Sequence, residues 1–217
     1  MAHKNNHLVI MAGGVGSRFW PMSTEEKPKQ FIDVLGTGRT LLQLTFDRFE
    51  GICDPENVWV VTNKKYAALV QEQLPEIPAG NIVQEPCRRN TAPCVAYISW
   101  RIKEKDPNAN IVVSPSDHIV TNSNEFRRVI ISALKFTGET DSIVTLGMKP
   151  TRPETGYGYI QGDLRTQASA GSVAAAEQAA RSGAGDDRHR LHGRGGGARG
   201  PQSGHLGCRD PHSAAAQ

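Results

Sequence analysis

Short apolar runs rich in β-branched residues recur along this chain, and a helix-like pattern separates each from the next. The runs fall at residues 7–12 (HLVIMA), 57–62 (NVWVVT), 81–84 (NIVQ), 110–114 (NIVVS) and 141–146 (DSIVTL). They are brief and continuously apolar, as parallel strands covered on both faces are; strands with one wet face alternate instead. Strands and helices taken in turn require right-handed crossovers. The fold class that follows is α/β, a Rossmann-like, doubly wound, mostly parallel sheet. No internal repeat is present.

The intervening stretches carry helix signals. Thr40 is a predicted N-cap for LLQLTFDRF, in which Leu42, Phe46 and Phe49 share one face. A second helix is predicted from Lys64 to about Leu74, where Pro75 ends it. Thr91 is predicted to cap a third, with Pro93 in its first turn and Cys94, Val95, Ile98 and Ile102 turned inward. Asn124 is predicted to cap a fourth, whose buried stripe is Phe126, Val129, Ile130, Ala133 and Leu134.

The alternation ends near residue 164, and the composition changes with it. Gly, Ala and Arg supply 29 of the last 53 residues, which contain no Lys, Ile, Phe, Tyr, Trp, Asn or Met. A segment with so little to bury cannot offset the entropy of ordering, so residues 165–217 are predicted to form a disordered tail on a folded part spanning 1–164. The residue types lost have AT-rich codons and those gained have GC-rich ones. Translation out of frame produces such an exchange, and that origin is favoured over a natural flexible tail.

Charge divides at the same point. Nine lysines and nine arginines balance eighteen acidic residues through residue 164, so the net charge of +3 lies entirely in the tail. The folded part offers no excess positive charge to nucleic acid. No apolar run approaches the ~20 residues of a membrane span. The first residues show no signal-peptide cleavage site. Cys53, Cys87, Cys94 and Cys208 fall at no zinc-like spacing. The expectation is a cytoplasmic protein with reduced thiols, no membrane and no nucleic-acid partner.

In open sheets of this kind ligands bind beyond the carboxyl ends of the strands, and three polar segments fall there. The first, Gly13-Gly14-Val15-Gly16-Ser17-Arg18-Phe19-Trp20-Pro21, follows the first strand directly. Glycines let the backbone approach a phosphate and aim several N–H groups at it. The segment is neither the dinucleotide fingerprint, since Phe19 stands at the third glycine position, nor a Walker A loop, since no Gly-Lys-Ser/Thr follows. Arg18, Lys27, Lys29 and Gln30 in the same long loop turn it toward a polyphosphate site. The second segment, Glu85 to Pro93 (EPCRRNTAP), precedes a helix whose N-terminus is suited to lining a nucleotide pocket. The third is Ser114-Pro115-Ser116-Asp117-His118, where a lone aspartate at a strand end is a natural magnesium ligand. Each has a plainer reading: a strand-to-helix turn for the glycines, a helix cap for Asn90 and Thr91, a solvated turn for Asp117. His118 is assigned nothing beyond holding its loop.

Taken together, GGVGSRFWPMSTEEKPKQF, EPCRRNTAP, PSDH and KPTRPETGYGYI resemble the mannose-1-phosphate guanylyltransferases, the GDP-mannose pyrophosphorylases of the sugar-nucleotidyltransferase superfamily. The resemblance runs from about His7 to Leu164. The order and spacing of all four motifs make it specific, and the Phe19-Trp20-Pro21 and Arg89-Asn90-Thr91-Ala92-Pro93 wording points to the guanylyl branch.

The resemblance implies a reversible, Mg2+-dependent reaction in which GTP and mannose 1-phosphate give GDP-mannose and pyrophosphate. It implies that the backbone at Ala12, Gly13, Gly14, Gly16 and Ser17 holds GTP while Arg18 and Lys29 neutralise its phosphates. Glu85, Asn90 and Thr91 would lie near the guanosine, Asp117 would bind magnesium, and Gly158 would approach the sugar. A homo-oligomer is compatible with it. The family continues with a Glu-Lys-Pro element, an Asn-x-Gly sugar loop and a second metal-binding Asp, none of which can be matched between Arg165 and Gln217. The expectation is a chain that binds GTP weakly with magnesium and turns over poorly. The rivals are another sugar-1-phosphate nucleotidyltransferase, acting on a glucose phosphate with UTP or dTTP, and a non-catalytic nucleotide-binding fragment.

Overall fold

The structure, a computed structural model, describes residues 4–14, 21–86, 90–147, 152–153 and 158–159. The predicted tail, 165–217, lies outside them. Four strands form one sheet: β1 (Asn6–Met11), β2 (Val58–Thr62), β3 (Ile82–Gln84) and β4 (Asn110–Pro115). Their order is β3-β2-β1-β4, and all pairings are parallel. Four helices connect or follow them: α1 (Leu41–Asp47), α2 (Ala67–Gln73), α3 (Thr91–Lys105) and α4 (Ser123–Glu139).

The pleat sends successive side chains to opposite faces, and the core divides accordingly. Leu8 and Ile10 of β1 and Val58 and Val60 of β2 pack with Leu42 of α1, Val70 of α2 and Ile130 and Leu134 of α4. Val9, Trp59, Val61 and Val83 pack on the other face with Cys94, Ile98 and Ile102 of α3. The chain winds outward from β1 to β3 and then crosses to the far side of β1. Right-handed crossovers in opposite directions put α1 and α2 on one face and α3 on the other. Leu8, Val9 and Ile10 are all 0% exposed, which a strand with one wet face would not allow. Burial of each contributes about 1.5–3 kcal/mol.

Helix starts follow from local chemistry, with two corrections. Thr40 caps α1 in a reciprocal box: its Oγ1 accepts from Gln43 N at 3.3 Å, and its N–H donates to Gln43 Oε1 at 3.0 Å. The predicted second helix is split, residues 64–66 forming a 3-10 turn ahead of α2. The cap of α3 is Asn90 and not Thr91, which is its first helical residue; Asn90 holds φ at 69°, a conformation asparagine tolerates better than β-branched threonine. The cap of α4 is Asn122 and not Asn124, because only from Asn122 does a side-chain oxygen reach the third helical N–H, that of Glu125, at 3.1 Å.

A third correction concerns residues 141–146, predicted as a strand. They form none, and Ile143 is 99% exposed. An apolar β-branched run becomes a strand only beside a neighbour that supplies a hydrogen-bond ladder and a face to bury. Among the described residues β4 pairs with β1 alone.

His7 ties the sheet to α3 from inside. The Trp59 indole N–H can only donate, and it does so to Nδ1 of His7 at 3.2 Å; Nε2 therefore carries the proton toward Asp106 Oδ2, also at 3.2 Å.

Candidate functional site

The sheet reverses its winding direction between β1 and β4, the kind of switch point at which open sheets form a ligand crevice beyond the carboxyl ends of their strands. The ends are flush, with Met11 registered on Val61 to one side and on Pro115 to the other. Residues 12–14 and 116–118 therefore leave the sheet side by side.

Buried polar side chains hold the first of these loops. Ala12 continues the ladder, its N–H donating to Val61 O at 2.8 Å. Its carbonyl accepts from Thr62 Oγ1 at 2.9 Å and from Gln30 Nε2 at 3.2 Å. Gln30 Nε2 also donates to Gly14 O at 2.8 Å. Gln30 is 3% exposed, so it clamps the glycine loop and does not reach into the crevice. A β-carbon on Gly13 or Gly14 would meet nothing within 4 Å, so open space flanks this backbone.

The second loop is held from two directions. Ser116 is buried, and its N–H (3.2 Å) and Oγ (2.8 Å) both donate to Met11 O. Lys29, in a 3-10 turn spanning Lys29–Phe31, donates from Nζ to Asp117 O at 3.3 Å. The Asp117 side chain is 51% exposed, and His118 Nε2 lies 3.8 Å from its Oδ1. Lys29 and Asp117, named from sequence, are thus joined at the same edge of the sheet as Ala12, Gly13 and Gly14.

Other named residues lie elsewhere or outside the described residues. Glu85 sits half-buried at the end of β3, its N–H donating to Thr62 O at 2.9 Å, on the same edge of the sheet. Its charge, after burial, helps push the Cys94 thiol up. Asn90 and Thr91 are exposed at the start of α3, and the Asn90 side chain makes no cap hydrogen bond. Gly158 is exposed, and a β-carbon there would meet nothing within 4 Å. Gly16, Ser17 and Arg18 lie outside the described residues.

Sequence reasoning missed Thr62 and gave Ser116 no role of its own. Thr62 and Ser116 carried a faint signal, each being a hydroxyl residue at the carboxyl end of an apolar run.

Among the described residues no group of three or more His, Cys, Asp or Glu is placed to hold a metal ion, and no helix is long and apolar enough to cross a membrane. What the crevice does combine is exposed glycine backbone, an ammonium and an accessible carboxylate. That set suits a polyanion accompanied by a hard cation, since magnesium needs only one or two protein carboxylates and takes its remaining oxygens from water and phosphate.

Comparison with known proteins agrees with the fold and with the family resemblance. Residues 7–176 match the nucleotidyl transferase family. The chain is similar to a mannose-1-phosphate guanylyltransferase of Escherichia coli, 42% identical over 157 residues, covering 70% of this chain and 33% of that protein. It is 38% identical over 175 residues to the mannose-1-phosphate guanylyltransferase of Escherichia coli strain K12, covering 79% and 35%. Its fold is similar to a crystal structure from Thermus thermophilus described as mannose-1-phosphate geranyltransferase, with a TM-score of 0.66 and 32% identity over 82% of this chain and 54% of that one. A Helicobacter pylori structure described as mannose-6-phosphate isomerase gives a TM-score of 0.57 at 25% identity, covering 72% and 55%. The chain spans about a third of the length of the curated relatives it matches.

Proposed function

The chain belongs to the nucleotidyl transferase family, and from that premise we propose that it carries the nucleotide side of a site for guanylyl transfer from GTP to mannose 1-phosphate. The products are GDP-mannose and pyrophosphate. The observation that carries the reading is the joining of the Gln30-clamped glycine backbone to Lys29 and Asp117 across the β1–β4 crevice.

In the reaction a phosphate oxygen of mannose 1-phosphate attacks the α-phosphorus of GTP, and the bond from that phosphorus to the departing pyrophosphate breaks. Little covalent chemistry falls to the protein, whose contribution is positioning and charge stabilisation. The backbone of Gly13, Gly14, Gly16 and Ser17 receives the phosphates, glycine allowing close approach, while buried Ala12, its N–H and carbonyl already bonded, anchors the loop. Arg18 offers a planar fork to phosphate oxygens and Lys29 a compact charge. Glu85, Asn90 and Thr91 lie toward the guanosine, and Gly158 toward the sugar. Asp117 would hold magnesium, a role its exposed carboxylate fits; when bound, the ion would neutralise phosphate charge.

Calorimetry with GTP, UTP, dTTP and ATP in the presence of magnesium tests the nucleotide, and a coupled pyrophosphate assay with mannose 1-phosphate tests the transfer. Magnesium-dependent binding that favours GTP is expected. Preference for UTP or dTTP assigns the chain to another sugar-nucleotide branch, and no nucleotide binding removes the reading. GTP binding without pyrophosphate release makes the chain a binding module.

A further inference from the structure

Arg48, at the C-cap of α1, is a partly buried cation with no role in the site described above. Its Nη1 donates to His118 O at 3.0 Å. Its Nη2 donates to Thr45 Oγ1 within its own helix, and its guanidinium carbon lies 5.6 Å from the centroid of the Phe126 ring on α4. Phe126 is itself fixed edge-on against Phe49, with ring centroids 5.5 Å apart. The Arg48 main chain is anchored too, its carbonyl accepting from Arg127 Nη1 at 3.1 Å.

This arrangement is costly for a residue that only fills space. Burial lowers the pKa of the guanidinium, no carboxylate pairs with it among the described residues, and Nε is buried without a hydrogen-bond partner. A partly buried cation with a buried, unpartnered Nε is the kind of group that calls for an explanation beyond packing. Its outward contact supplies one. His118 O is the carbonyl next to Asp117 O, which takes the Lys29 ammonium. Two cations from different elements thus hold consecutive carbonyls of the loop after β4.

We infer that Arg48 is a positioning residue, which fixes the 117–118 backbone so that the Asp117 carboxylate is presented to the crevice. The inference rests on the metal role proposed for Asp117. Arg48 touches neither substrate nor metal in it; it acts through the loop. Groups that orient a metal ligand change metal affinity by about 10–100-fold when removed. The same linkage works in reverse, since a ligand that favours the ordered loop must tighten the contact holding it.

The test uses the full chain and two kinds of readout. Arg48→Met keeps the stem and removes every donor. The expected result is faster amide exchange at residues 117–119 and a magnesium midpoint for GTP binding about tenfold higher, with exchange in β2 unchanged. Arg48→Lys, which retains a cationic donor group, is expected to recover most of both. A Met variant that melts earlier but keeps the parent's magnesium midpoint and loop exchange overturns the inference. A variant-free measurement covers failure of Arg48→Met to fold: magnesium with GTP should slow exchange of the Arg48 guanidinium protons in the parent by several-fold, and no change overturns the proposal. If the parent binds no nucleotide at all, the proposed function falls instead. The loop exchange of the Met variant then still decides whether Arg48 holds residues 117–118.

Discussion

Lys29 and Asp117 are 88 positions apart in sequence, and Lys29 Nζ donates a hydrogen bond to the main-chain carbonyl of Asp117 at 3.3 Å. The loop after the first strand is thereby joined to the loop after the fourth. The bond ends on the Asp117 backbone carbonyl.

Lys29→Ala should reduce nucleotide use far more than stability. Loss of one electrostatic contact to a transition state lowers turnover by roughly 10²–10³, and the same change should leave the melting temperature within a few degrees. Steady-state kinetics on a chain with measurable turnover check it. A change below a few-fold takes Lys29 out of the site.

Asp117→Asn preserves shape and removes the charge a hard cation needs. Because the Asp117 side chain is half exposed, the fold should survive, while GTP binding should require far more magnesium. Superimposable magnesium titrations of the variant and the parent would reduce Asp117 to a turn residue.

Gln30→Ala removes the donor shared by Ala12 O and Gly14 O. Thr62 Oγ1 still serves Ala12 O, so the loss falls mainly on Gly14. Gly14 is exposed, so water can take the lost donor's place, and the cost is that of one net hydrogen bond, about 0.5–1.5 kcal/mol. Urea unfolding should show a loss of this size, accompanied by faster amide exchange at residues 12–14. Unchanged exchange there would mean that Gln30 does not hold the glycine loop.

Burial, and then the neighbouring charge of Asp54, push the Cys53 thiol from 9.0 up to about 12. The unfolded thiol releases its proton first as pH rises, so the stability this group contributes is complete below pH 9.0 and is lost between there and about pH 12. The slope is on the order of 1 kcal/mol per pH unit. Denaturation of the parent and of Cys53→Ala from pH 8 upward should diverge in slope above pH 9, and parallel curves would contradict this.

Much of the architecture was legible because its causes are local. A continuous β-branched run followed by glycines, as in HLVIMAGG, reads as a strand and its exit loop from neighbouring residues alone. The box between Thr40 and Gln43 closes over three residues. The inward stripe Cys94, Ile98 and Ile102 follows from helical period. Fold class rests on many such signals agreeing, which makes it robust to a single wrong one. Residues 141–146 were that one: their composition is strand-like, but a strand is a relation to a neighbour, and none of the described residues pairs with them.

What the sequence by itself determined was the alternation of elements, the two faces of the sheet and the residue types gathered at its carboxyl edge. Tertiary structure alone decided what those residues do for one another. Gln30 belongs to a lysine-bearing loop that reads as ligand-facing, yet it is buried and turned inward onto Gly14. Ser116 closes on Met11 across 105 positions, and Arg48 on His118 across 70. The physical reason is the range of the forces involved. Propensity, capping and hydrophobic period act within about a turn or a pleat and leave a pattern in spacing. A side-chain hydrogen bond to a distant carbonyl depends on where two loops stand after the sheet has assembled, and no spacing records that.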